Sequence, residues 1–160
     1  MSEFINGSLV VSSFAVVDKG VTATTGNLTA ASGNVVATAG NVVISSADKG
    51  IIHSNRGSET QITSATTAVT LNATSGIITT FAATLATNTE VEFTLTNSAI
   101  QSDSLILVSM NDMNTEAAAH LLVTTNTIAN GSCIINLFNC GSETATATAC
   151  QVHFLIINNS

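Results

Sequence analysis

Proline, tryptophan and tyrosine are absent from this chain of 160 residues, and lysine and arginine together occur three times. Without proline, no position is barred from donating to a β-ladder. Without Trp or Tyr, a stacking platform for sugars is hard to build. The three basic residues, Lys19, Lys49 and Arg56, form no cluster, and the net charge is −7. Neutralising a phosphate backbone takes clustered Lys and Arg, so neither nucleic acid nor an anionic membrane is expected as a partner. Apolar runs are short and broken by Thr, well below the roughly 20 residues of a membrane-spanning helix. The opening MSEFINGS has Glu3 where a secretory signal carries positive charge, so no export signal is expected.

What is present points one way. Thr, Val and Ile stiffen the chain at Cβ and favour extended backbone, while Asn, Ser and Gly supply turns. The fold class expected is all-β, with room for one domain plus an extended arm. The three cysteines, Cys133, Cys140 and Cys150, are an odd set, expected to be free thiols with a structural role.

Residues 1–63 have their own grammar. An alternating lead (Phe4, Leu9, Val11, Phe14, Val16) is followed by Val17-Asp18-Lys19-Gly20-Val21, which Ala47-Asp48-Lys49-Gly50-Ile51 echoes. Between them Gly-Asn returns every seven residues, at Gly26-Asn27, Gly33-Asn34 and Gly40-Asn41. A coiled coil does not place Gly at a fixed heptad position among Val, Thr, Ala and Ser. The period suits short strands (LTAAS, VVATA, VVISS) joined by turns that tolerate positive φ. Lone elements of this size are marginal in water. Leu28, Val35, Val42 and Ile44 therefore need apolar partners, and equivalent repeats in sister chains are the economical source. A solvated linker, the alternative, has no need to hold branched apolar residues in register. The polar stretch His53 to Glu59 reads as a junction.

From residue 64 to 160 the strands lengthen. Strands are predicted at 68–71, 77–85, 90–96, 105–110, 121–128, 132–139 and 149–157. Within 77–85, Ile77, Phe81, Ala83 and Leu85 share a face. The clearest alternation, Glu90 to Thr96, turns Val91, Phe93 and Leu95 inward and both glutamates outward. Leu105 to Met110 is apolar on both faces, as in a central strand. Turn signals at 72–76, 97–103, 111–116, 129–131 and 139–143 separate the strands. The pattern predicts a jelly-roll-like antiparallel β-sandwich head after an N-terminal arm or stalk.

Candidate chemistry is thin. His53, His120 and His153 stand in no motif-like relation to Ser or Asp, and no nucleophile elbow is present. Cys150 and His153 are three apart, which puts them on opposite faces of a strand and makes a poor metal pair. Glu90/Glu92 and Asp103, Asp112 and Glu116 are paired carboxylates, but the aromatic-rimmed cleft of a glycosidase is missing. The first pair reads as a solvated strand face and the others as turn capping, with a divalent cation at a trimer axis as the alternative. The Gly-Asn repeats lack the helix and Lys of a phosphate-binding loop. No catalytic residue, metal or cofactor is expected.

The run GNLTAASGNVVATAGNVVISSADKGIIHS resembles the repeats that precede terminal domains in structural proteins of tailed bacteriophages, especially those of aquatic hosts. The later part is similar to the C-terminal domain of such proteins, over Thr70-Leu71-Asn72, Gly76 to Thr80, Val91 to Ser98, Asp103 to Val108, Ala129 to Ile135 and His153 to Ile157. The resemblance covers about residues 20–157. It implies a non-enzymatic virion component, made in the host cytoplasm and homotrimeric. The shortness of the chain moves the expectation toward a capsid decoration (cement) protein or short head fibre on the capsid exterior. Its partners would be itself and the major capsid protein or another virion protein. Attachment is expected through Phe4, Ile5, Leu9, Val11 and Phe14, since an unsupported apolar terminal strand needs a partner surface. Leu28, Val35, Val42 and Ile44 would form the trimer contacts. Two other readings are a tail-fibre or spike tip binding a host receptor or glycan through loops 111–116 and 139–144, and a polysaccharide hydrolase using Asp103 or Glu90.

Overall fold

The alternating run Glu90 to Thr96 shows how this chain folds. In a computed structural model, which describes Ser32, Val42, Val43, residues 51–111 and residues 120–159, it forms one strand. Phe93 and Leu95 are buried, Val91 is half-buried, and Glu90 and Glu92 are exposed. The described residues are all-β, with ten strands: β1 (Arg56–Thr60), β2 (Val69–Thr70), β3 (Ser75–Thr79), β4 (Ala83–Leu85), β5 (Glu90–Thr96), β6 (Leu105–Asn111), β7 (Leu121–Ala129), β8 (Ser132–Asn139), β9 (Ala145–Thr148) and β10 (Gln151–Ile157).

Two four-stranded sheets carry the core. The first runs β1-β3-β10-β6, the second β2-β5-β8-β7, and β4 and β9 form a small separate ladder. β6 packs against β7 and β1 against β2, so the sheets lie face to face in a sandwich-like arrangement. Between them sit Ile78, Ile106, Val152, Phe154 and Ile156 from the first sheet and Val69, Phe93, Leu95, Ile135 and Leu137 from the second. Burial of these β-branched and aromatic side chains is the main driving force for the fold.

Four differences from the sequence expectations have physical causes. The sheets are mixed, not purely antiparallel: β1 runs parallel to β3, and β2 parallel to β5. Both parallel strands are sheet edges, where chain direction is set by the connection and not by a tight hairpin. The segment 77–85 is two strands in different sheets. Ile78 and not Ile77 enters the core, and Phe81 lies exposed. Thr80 ends β3 by bonding back to Cys150, accepting from its N–H at 2.9 Å and donating its own N–H to the Cys150 carbonyl at 2.8 Å. Leu105 to Met110 is not a central strand. It lies within β6, the edge of the first sheet, with one face open. Finally, the polar stretch read as a junction supplies β1.

By packing, the chain divides into two units, Met1–Lys49 and Gly50–Ser160. The boundary expected after residue 63 falls within the second. Gln61 is buried there, donating from Nε2 to the Thr67 carbonyl at 2.6 Å and accepting from the Phe81 N–H at 3.1 Å. In the first unit, Val42 is 77% exposed. The other expected trimer contacts (Leu28, Val35 and Ile44) and the expected attachment residues (Phe4, Ile5, Leu9, Val11 and Phe14) lie outside the described residues.

Candidate interaction surface

The two sheets turn different chemistry outward. On the second sheet, cross-strand register places Glu90 opposite Phe138, Glu92 opposite Asn136, and Thr94 opposite Ile134. Asn136 donates from Nδ2 to Glu90 at 2.9 Å and to Glu92 at 3.3 Å, and Asn126 donates to Glu92 at 3.1 Å. The two carboxylates are thus held by amides on a solvated face, with Thr94, Thr96 and Thr124 exposed around them. This is a sheet-stabilising polar network.

The first sheet presents no carboxylate on its outer face. The register of β10 with β6 sets Ile157 beside Leu105 and Leu155 beside Leu107, and His153 lies between Ser109 and Ile77. Leu105 is 53%, Leu107 48% and Ile157 43% exposed. These side chains are outward because Ile106, Val108 and Met110 take the inward positions of the same strand. An apolar row on an edge strand, with neither Lys nor Pro to guard it, invites a partner.

That face continues into a groove of about 420 Å³ lined by Ile51, Ile52, His53, Arg56, His153 and Leu155, among others. A smaller recess, about 190 Å³, adjoins it through His153, Phe154 and Leu155 and reaches Leu107. Ser75 Oγ, on a residue lining the groove, is buried without a hydrogen-bond partner. Arg56 is the one fixed positive charge among the described residues of this face.

Catalytic groupings do not assemble from these parts. His153 sits on the outer face of the first sheet, and Glu90 and Glu92 on that of the second. Cys150 is buried while His153 faces outward, as strand parity requires. Among the described residues no three His, Cys, Asp or Glu side chains group at metal-binding distance. None of the three cysteines is in a disulfide; burial pushes the Cys133 thiol up to about 11, and exposed Cys140 donates to the His120 carbonyl at 3.3 Å. A second pocket of about 230 Å³, between Phe81, Leu85, Val91 and Leu137, is smaller than the roughly 300 Å³ at which small-molecule sites begin.

Loop 139–144, one of two expected recognition loops, is anchored by Asn139 and exposes Ser142, Glu143 and Thr144. The other, 111–116, lies outside the described residues beyond Asn111. The groove was not anticipated from sequence. The signal for the adjoining apolar face was the doubly apolar Leu105 to Met110, which reads equally well as a buried central strand.

The chain matches no protein-family model, no curated protein and no solved structure.

Proposed function

We propose that this is a structural virion protein of a tailed bacteriophage, a homotrimeric capsid decoration protein or short head fibre with a jelly-roll-like head. It binds and stabilises the capsid exterior. The observation that supports this most is the outer face of the first sheet: apolar, free of carboxylates and joined to an open groove, it is chemistry for contact and not for turnover. The ordered sequence blocks shared in character with phage fibre proteins favour the same reading. Residues 1–63 serve as the arm, with Phe4, Ile5, Leu9, Val11 and Phe14 seating on the major capsid protein or another virion protein.

Deleting residues 1–20 tests this. Binding of the purified protein to particles that lack it is expected to disappear, while far-UV circular dichroism of the head stays unchanged. Undiminished binding would refute the attachment role. Electron microscopy of the intact particle gives the location; density at a tail tip instead of the capsid would favour a receptor-binding role.

A further inference from the structure

We infer that the groove on the outer face of the first sheet binds a small amphiphilic anion, a carboxylate carried on a single alkyl chain. Every group the site uses belongs to one copy of the head, so the inference goes beyond the capsid reading and does not depend on it.

The first ground is where the few cationic and imidazole groups sit. The described residues include one Arg, three His and five carboxylates. Arg56, His53 and His153 line this one groove, and no carboxylate does. Glu59 shares a strand with Arg56 but turns the other way. Gly57, which has the parity of Glu59, is the position where a Cβ would meet Leu71 and Ala73, and Glu59 lines a separate recess with Gln61 and Thr67. Arg56 stands opposite Ser75 in register and makes no ion pair among the described residues. A carboxylate entering here meets a guanidinium and, whatever the charge of each imidazole, at least one N–H from it.

The walls give the ligand its body. Ile51, Ile52 and Leu155 line the same groove, and the adjoining recess extends it past Leu155 to Leu107 on β6. From β1 to β6 is three inter-strand spacings, about 14 Å. A groove of about 420 Å³ with aliphatic walls and a few polar groups at one end has the size and make-up of a small-ligand site. Charged at the Arg56 end and apolar at the Leu107 end, it matches a ligand divided in the same way.

The floor selects an alkyl chain over a peptide. β3 and β10 are interior strands, paired on both sides, so their ladders use the backbone groups that a peptide would seek. A peptide laid over Leu155 and Leu107 would set its polar backbone against leucine, at a desolvation cost. An alkyl chain brings no such groups.

Isothermal titration calorimetry of the full-length chain tests the site with four probes. Decanoate carries head and body, acetate the head alone, decanol the body alone, and decyltrimethylammonium the body with the opposite charge. Decanoate is expected to bind, and the other three to bind about tenfold more weakly or not at all. Arg56→Gln, at an exposed position, should weaken decanoate about tenfold or more, as loss of a charge-assisted hydrogen bond requires. Thr124→Gln, exposed on the second sheet, should leave it unchanged. Methyl chemical shifts of the wild type locate the ligand without any variant: Ile51, Ile52, Leu107 and Leu155 should move, and Leu122 should not.

Absence of decanoate binding overturns the inference. So does equal affinity for decyltrimethylammonium, indifference to Arg56→Gln, or shifts confined to the pocket beside Phe81 and Leu85. Co-sedimentation with phosphatidylglycerol vesicles that Arg56→Gln abolishes would assign the groove to a lipid surface and overturn it as well. None of these readouts involves the capsid, so failure here leaves the proposed function standing.

Discussion

At Gly76 the first sheet closes so tightly on its neighbours that a Cβ would lie 2.7 Å from Phe154 Cε1 and 2.9 Å from Leu71 Cδ2. Phe154 is a core residue with little room to move. Gly76→Ala is therefore expected to destabilise the head by about 1–3 kcal/mol, read as a lower midpoint in urea. The cysteines differ by environment. Cys133 and Cys150 are buried and Cys140 is exposed, so a thiol reagent at neutral pH should titrate one group fast and the other two only on unfolding. Burial raises the Cys133 pKa from 9.0 to about 11. The folded state thus favours the neutral thiol. Its contribution to stability is complete below about pH 9 and is lost as pH rises from 9 towards 11. Melting temperatures measured from pH 7 to 11 should fall over that window, and less steeply in Cys133→Ala.

Elements are held to one another by a few buried amides. Asn139, fully buried at the end of β8, donates from Nδ2 to the carbonyls of Leu85 and Glu143, both at 2.9 Å, and accepts from the Gly141 N–H at 2.9 Å. It ties β4, β8 and the 139–144 loop at one point. Asn139→Ala leaves those groups unpaired and is expected to cost about 1–3 kcal/mol, with faster amide exchange at Gly141 as the local sign. How far each element was legible follows its surroundings. β5 could be read because its alternation matches a half-buried strand. The turn at Ala129 to Gly131 could be read because Gly131 takes φ +83° in the β7–β8 hairpin. The break between β3 and β4 carries no Gly or Pro, and Thr80, Phe81 and Ala82 read as strand. β1 escaped notice because Arg-Gly-Ser-Glu-Thr is polar, as an exposed parallel edge strand can be.

For the whole molecule, strand composition was readable and strand neighbourhood was not. The candidate surface exists because β10 inserts between β3 and β6, residues far apart in sequence. No local pattern encodes that Leu155 will stand beside Leu107 or that Ile51 will flank the same groove. The same gap explains why β6 reads as central: an apolar residue outward looks identical whether a sister strand, a sheet or another chain covers it. Under the proposed function, the repeats and the unguarded apolar edge require companions. Native mass spectrometry of the full-length wild-type chain at submicromolar concentration tests that requirement most directly. A trimer is expected as the dominant species; a folded monomer that persists on concentration would contradict the account.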